Sequence, residues 1–350
     1  MSKKRQEKRR LKAKKNKRRQ PPKQKIAMPG SAAPHSTAPS VPSAYTMWRS
    51  MNLEFRSQEA LAEALAQFPP VAQRDSARVE QIQSAANIEA LLDLTPIAIG
   101  LADHAWITCM REFGPAVAKK IAARLANNDW MHTHRKERSG IEERCIGTLR
   151  WYGEEGSDAL LSCWDSLDDY GRSIASIALG LLGARQAADR IFDFYRKAEK
   201  LRGENYFVGA LWGLIDLQDE RAADALIDLL NKKRSFYELF GFFSLAGDRR
   251  AILPLFVRAA KHNRSSDEII GDAMWALIGI AHRIGHTDFI EEMKNVFNPD
   301  ESLADTLELL TNEVFKYSFE NIKDHFELFY ATASSELPVS PSPGSSRPEG

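Results

Sequence analysis

The residues best suited to chemistry stand in the first 25 positions, where fourteen Lys or Arg side chains accompany a single carboxylate, Glu7. Cations at this density bind nucleic acids by releasing the counterions condensed on the phosphates. The tract holds no aromatic side chain, so it can contact the phosphate backbone without reading bases. We therefore predict a nucleic-acid-binding arm that contains Lys3, Lys4, Arg5, Lys8, Arg9, Arg10, Lys12, Lys14, Lys15, Lys17, Arg18 and Arg19.

The charge of the arm does not specify which polyanion it binds. RNA (including ribosomal RNA), DNA and an anionic membrane all satisfy it, and RNA or the ribosome is the favoured partner. In a eukaryote the same tract would act as a nuclear import signal, and a solvated tail without a dedicated partner is the plainer alternative. The other 325 residues carry 34 basic and 46 acidic side chains, so the arm is joined to an acidic body.

Other chemical candidates are weak. His132 and His134 stand near Asp129, but alternate residues of a helix do not share a face, so a polar loop is favoured over a metal site. The sequence lacks a glycine-rich phosphate loop, a His-Glu-x-x-His pair and a Gly-x-Ser-x-Gly elbow. The pair Asp168-Asp169 is explained by helix capping. We predict no cofactor and no metal, and nothing in the sequence argues for an enzyme.

The elements that must carry any binding surface recur between residues 171 and 297. Three copies have an apolar helix, a tight polar turn and an Arg-x-Ala or Arg-Ala entry into a second apolar helix, and a looser fourth copy follows. The anchors Ala187, Ala222, Ala251 and Phe289 of the second helices are 35, 29 and 38 positions apart. A helix pair at this period is typical of an α-solenoid, and strand-like alternation is absent. We therefore predict an all-α fold.

The first helix and turn of three copies have the sequences IALGLLGA at 177–184, LWGLIDLQD at 211–219 and FFSLAGD at 242–248. They resemble the short HEAT-like repeats of phycobilin lyases and deoxyhypusine hydroxylase. The resemblance implies a binding scaffold, with a lyase-type chaperone or an enzyme that holds a small molecule in the concave groove as the alternative. The hydroxylases bind iron through His-Glu pairs, and no His of this chain is followed by Glu, which argues against that activity.

Cations also end the second helix of each copy. Stacked repeats would align these ends into a basic ridge, although cations at a helix C-terminus are favoured by the macrodipole alone, which is the plainer explanation. The aromatic side chains of the repeats fall on the apolar stripes, with Tyr195 and Tyr237 as candidates for a concave surface. The predicted ridge comprises Arg196, Lys197, Lys232, Lys233, Arg234, Arg258, Lys261 and Arg264.

The remaining segments flank these repeats. We predict one helix over residues 71–94, and Cys109, Cys145 and Cys163 as reduced and buried. No apolar run has the length of a membrane span and no secretory signal is visible, which predicts a cytoplasmic protein, or a nuclear one in a eukaryote. The predicted organisation is a disordered basic arm at 1–28, a Pro/Ser-rich linker at 29–45, a helical region at 46–139, HEAT-like repeats at 140–297, capping helices at 298–333 and a disordered tail at 334–350.

These patterns together predict a non-enzymatic interaction scaffold. The solenoid would bind a protein or peptide partner, and the arm would bind a nucleic acid backbone.

Overall fold

The structure, a computed structural model, describes residues 43–50, 57–201, 205–234, 236–255, 267–285, 287–289 and 291–292, with the backbone alone for 267–272 and 274. Within these ranges the regular secondary structure is helical throughout, which confirms the all-α prediction. The predicted arm, capping helices and tail lie outside the described residues.

The N-terminal region is a series of helices whose boundaries are set by proline, glycine or capping side chains. Pro69 opens one of them at its first position, where the missing N–H has no intrahelical partner to lose. Gly100, at φ +68°, precedes another. The bounds are α1 Ala44–Arg49, α2 Gln58–Gln67, α3 Pro69–Gln83, α4 Ile88–Leu94, α5 Leu101–Glu112, α6 Ala116–Leu125 and α7 Asn128–Thr133.

The prediction of one helix over 71–94 is wrong. The chain leaves the helix after Gln83, and the Asn87 side chain then accepts a hydrogen bond from the Ala90 N–H at 3.0 Å. That bond caps a new helix, α4. Asn is unfavourable inside a helix but is one of the preferred N-cap residues. An Asn before an apolar run therefore marked the break in the sequence.

In the repeat region the first helices of successive pairs contact one another, from α8 to α10, α10 to α12, α12 to α14 and α14 to α15. The second helices α9, α11 and α13 pack beside them. The bounds are α8 Arg138–Leu149, α9 Gly153–Cys163, α10 Asp169–Leu181, α11 Ala188–Ala198, α12 Phe207–Asp216, α13 Arg221–Asn231, α14 Leu239–Ala246 and α15 Asp267–Ile284.

Glycine brings the first helices into close contact. A Cβ on Gly213 of α12 would lie 2.5 Å from the Ser176 carbonyl oxygen of α10, and one on Gly209 would lie 2.4 Å from that of Ser173. Gly279 of α15 faces Ser244 of α14 in the same way. Real Cβ atoms do not come so near a backbone oxygen, so only glycine allows this helix spacing.

Ion pairs repeat on the start of the second helices. Arg221 contacts Asp219 in its own turn at 2.6 Å and Asp189 of the preceding pair at 2.8 Å. Arg250, 29 positions later, makes the same two contacts with Asp248 at 2.5 Å and Asp224 at 2.7 Å. The Arg-Ala step of the sequence copies therefore links neighbouring helix pairs. These groups are partly exposed, so their main effect is on register rather than stability.

The predicted cysteines are confirmed as buried free thiols. Burial raises the pKa of Cys145 to about 12. A thiol held in its neutral form is a poor nucleophile, so these side chains serve the core.

We expect Gly213→Ala to destabilise the protein by about 2 kcal/mol, because the new methyl group overpacks the α10–α12 contact. Urea unfolding followed by circular dichroism measures this loss. Gly147→Ala is the matched control, since its Cβ would meet only Trp48 at an ordinary 3.8 Å. The control should be neutral or slightly stabilising. Equal stability of the two variants would contradict the close contact.

Candidate peptide-binding groove

The short helix α1 forms because its ends and faces are specified locally. The Ser43 side chain accepts a hydrogen bond from the Thr46 N–H and caps the first turn. Tyr45, Trp48 and Arg49 recur at i, i+3 and i+4, and each is only 6% exposed, whereas Met47 on the opposite face is 57% exposed. The helix therefore buries one aromatic and cationic face, although it begins inside the segment predicted as linker.

That face lies against the first helices of the repeats, α10 and α12. The Tyr45 ring is 5.9 Å from the Tyr170 ring and 6.5 Å from the Tyr206 ring, in tilted and edge-on arrangements. Such aromatic pairs contribute about 0.5–1.5 kcal/mol beyond their burial. We call the surface under α1 the α1 groove and define it by Arg150, Tyr170, Tyr206, Trp212, Asp216 and Glu238.

A buried carboxylate binds the start of the helix. Glu238, 5% exposed, accepts hydrogen bonds from the Ser43 backbone N–H and from the Thr46 hydroxyl, both at 2.7 Å. The Thr46 oxygen in turn accepts from the Trp212 indole N–H at 2.9 Å. One backbone donor and one side chain of α1 thus satisfy two polar groups of the repeats.

A second carboxylate binds the end of the helix. Arg49 donates to both oxygens of Asp216, at 3.0 and 2.6 Å, in the two-bond geometry that suits a guanidinium. The guanidinium carbon also lies 4.3 Å from the centroid of the Trp212 ring. Burial raises the pKa of Asp216, and the Arg49 charge opposes that rise. The pair joins residues 167 positions apart in the chain.

A further cation crowds this pair. Arg150 lies 5.2 Å from the Trp48 ring centroid, and its Nη1 is buried without a hydrogen-bond partner. Burial and the charge of Arg49 lower the pKa of Arg150 to about 10. Among the residues that the structure describes, the groove thus places two guanidinium groups beside the Asp216 carboxylate.

The described members of the predicted basic ridge lie at the ends of α11 and α13. Lys197 contacts Asp169 at 2.9 Å, and Lys232 contacts Glu199 at 3.1 Å. The Arg234 guanidinium donates to the Glu199 carbonyl at 3.1 Å. Carboxylates of the same helix pair (Asp169) and of the preceding one (Glu199) therefore neutralise much of this charge. Arg196 and Lys233 are exposed, while Arg258, Lys261 and Arg264 lie outside the described residues, as do all the arm cations.

The remaining predicted sites have other environments. Tyr195 does not reach a surface, because it is 4% exposed and its hydroxyl donates to the Ala225 carbonyl at 3.2 Å. Tyr237 is half-buried. His134 packs on Trp130, with 5.1 Å between the ring centroids. In the part of the chain that the structure describes, no His, Cys, Asp and Glu side chains cluster as metal ligands, and no helix is long and apolar enough to span a membrane.

One titratable group is buried outside the groove. Glu142 of α8 is fully buried, with Arg138 Nε 3.0 Å from one of its oxygens. Gly171 covers the carboxyl group so closely that a Cβ there would lie 2.7 Å from it. Burial, and then the charge of Asp168, raise the pKa of Glu142 to about 8. A covered carboxyl cannot reach a substrate, so its role is structural.

Comparison of the chain with models of known protein families, with curated proteins and with solved structures finds no match in any of the three.

The groove was missed at the sequence level. Its local signal is Ser43 followed by Tyr45, Trp48 and Arg49 at helical spacing, a capped amphipathic turn. Its partners Asp216 and Glu238 lie in repeat copies whose amino-acid composition does not distinguish them from the other copies.

We expect the Arg49–Asp216 pair to be strongly coupled. Arg49→Met leaves a buried carboxylate unpaired and should lower the free energy of unfolding by about 3 kcal/mol. The double variant with Asp216→Asn should lose less than the two single variants combined, as measured by urea unfolding. The exposed Lys120–Glu89 pair, at 2.7 Å, is the control and should couple by less than about 1 kcal/mol. Additive losses at Arg49 and Asp216 would contradict the buried pair.

We also expect stability to depend on Glu142 between pH 4.5 and pH 8. In this window the folded carboxyl stays protonated while the unfolded one, with its ordinary pKa of 4.5, ionises. The folded state then binds more protons, so this contribution falls as the pH rises. Urea unfolding at pH 5 and pH 8 should show wild type losing stability relative to Glu142→Gln, with exposed Glu80→Gln as the control. A constant difference across this range would show that Glu142 is ionised in the folded state.

Proposed function

We propose that this protein is a non-enzymatic interaction scaffold built as a solenoid of HEAT-like helix pairs. Its repeats bind a helical segment of a protein partner, and its basic arm binds a nucleic acid backbone, with RNA favoured. The observation that carries the proposal is the packing of α1 across α10 and α12, which supports a surface chemistry suited to a short helix.

Two further observations support the solenoid. First helices of the repeats contact one another in chain order, with glycine at the α10–α12 and α14–α15 contacts. The pairs Arg221–Asp189 and Arg250–Asp224 connect two of the second-helix starts to the preceding pair. Contacts between successive copies are what a one-dimensional stack requires. Surfaces assembled from such stacks bind extended partners in many proteins, which is an analogy of architecture.

The arm is assigned by charge. Fourteen cations in 25 residues, without aromatic side chains, favour contacts with phosphate over contacts with bases. The acidic balance of the remaining residues does not attract a polyanion, so the arm would provide the salt-sensitive affinity. The ion pairs of Lys197, Lys232 and Arg234 make the ridge a weaker candidate for the same role.

We expect the full-length protein to retain mixed cellular RNA with an affinity that falls steeply as salt rises, because each neutralised phosphate releases counterions. Replacing the fourteen arm cations by Gln should abolish retention at moderate salt. Filter binding across a salt series measures both. A shuffled arm of unchanged composition is the control and should bind as wild type does.

Retention by the Gln variant would contradict the arm as the tether. In that case Arg196→Gln and Lys233→Gln, the exposed cations of the described ridge, would be added to the same chain to locate the site.

A further inference from the structure

The α1 groove combines apolar contacts to Tyr45 and Trp48 with two carboxylates. In the described part of the chain, the Asp216 carboxylate accepts hydrogen bonds from Arg49 alone, and the Glu238 carboxylate accepts from Ser43 and Thr46 alone. Carboxylates removed from water cost several kcal/mol unless they are paired. These two are therefore placed to receive a polar segment, and their described hydrogen-bond donors all lie within residues 43–50.

The chemistry of that ligand can be read from the groove. Glu238 selects a helix start with a free backbone N–H and a hydroxyl, and Asp216 selects a guanidinium near the end of the second turn. Tyr170 and Tyr206 contact an aromatic ring between these anchors. A short helix with the pattern Ser-x-Tyr-Thr-x-Trp-Arg meets all of these requirements.

The segment now in the groove is built to be displaced. A helix of six residues is far below the roughly 12–15 residues that an isolated helix needs in water, so α1 owes its structure to the groove. This dependence on the groove limits how tightly α1 is held.

We propose that the α1 groove is a recognition site for a short helix of a partner protein, one that carries a hydroxyl cap, aromatic side chains and an arginine. Residues 43–50 occupy the site in cis and compete with that helix. This inference rests on the proposed scaffold function and deepens it, because it names the surface and the partner chemistry.

Competition sets the affinity that a partner needs. A segment that belongs to the same chain as its site acts at an effective concentration on the order of millimolar. A partner at micromolar concentration must therefore bind about a thousandfold more tightly than the free segment does, or act when α1 is released.

The test uses a fluorescein-labelled peptide of residues 41–52, VPSAYTMWRSMN, and the full-length chain. Fluorescence anisotropy should show the Arg49→Met chain binding the peptide at least tenfold more tightly than wild type, because its own segment competes less well. Adding Asp216→Asn to that chain should abolish binding, as should Arg49→Met within the peptide. Circular dichroism melts establish that each chain is folded.

A second form avoids any substitution in the groove. A protease site is inserted between residues 50 and 57 of the full chain, which is folded first and then cleaved. The cleaved N-terminal fragment should exchange with the labelled peptide over minutes to hours. Failure of the peptide to bind both the folded Arg49→Met chain and the cleaved chain would overturn the proposal.

Sedimentation of Arg49→Met across a concentration series identifies a different occupant. A dimer that the peptide dissociates would assign the groove to a second copy and would also overturn the partner assignment. Because RNA retention is measured on the same samples, failure of the groove and failure of the arm are distinguishable.

Discussion

A carboxylate buried on α12 imposes the requirement that organises the groove. Asp216 is 13% exposed at its side chain, and at that depth it needs a cation with good geometry to remain ionised. Arg49, 167 positions upstream, provides that cation, and Trp48 and Tyr45 on the same face of α1 are buried with it. The same cation lies on Trp212, whose indole N–H fixes Thr46, which in turn bonds Glu238. The ion pair is thus continuous, through Trp212, with the hydrogen bonds that Thr46 makes.

The groove in turn depends on how closely the repeats pack. Asp216 and Trp212 lie on α12, the helix whose Gly209 and Gly213 allow contact with the backbone of α10. With larger residues there, α10 and α12 would separate, and the rings of Tyr170 and Tyr206 would no longer meet Tyr45. Small residues between helices therefore position the residues around α1 as well as allow close packing.

Much of the fold was predictable, because helix formation depends on local features such as the spacing of apolar residues. Apolar spacing predicted the helices around Ala187, Ala222 and Ala251, and the Arg-Ala steps marked their starts. The break at Asn87 was missed, since periodicity on both sides continues across it. Asp216 and Glu238 could not be assigned to a groove, because nothing local distinguishes a carboxylate that is exposed from one that a distant segment covers. Pairings over 167 and 195 positions are properties of the tertiary structure.

Hydrogen–deuterium exchange of the full-length chain tests the central claim most directly. A helix of six residues cannot protect its own amides in water, so protection within residues 43–50 reports docking and nothing else. We expect the amides of Met47 and Ser50, which bond the carbonyls of Ser43 and Thr46, to exchange far more slowly than in the free peptide. We also expect Asp216→Asn to remove that protection. Exchange of these amides at the rate of the free peptide in the wild-type chain would contradict the docking of α1.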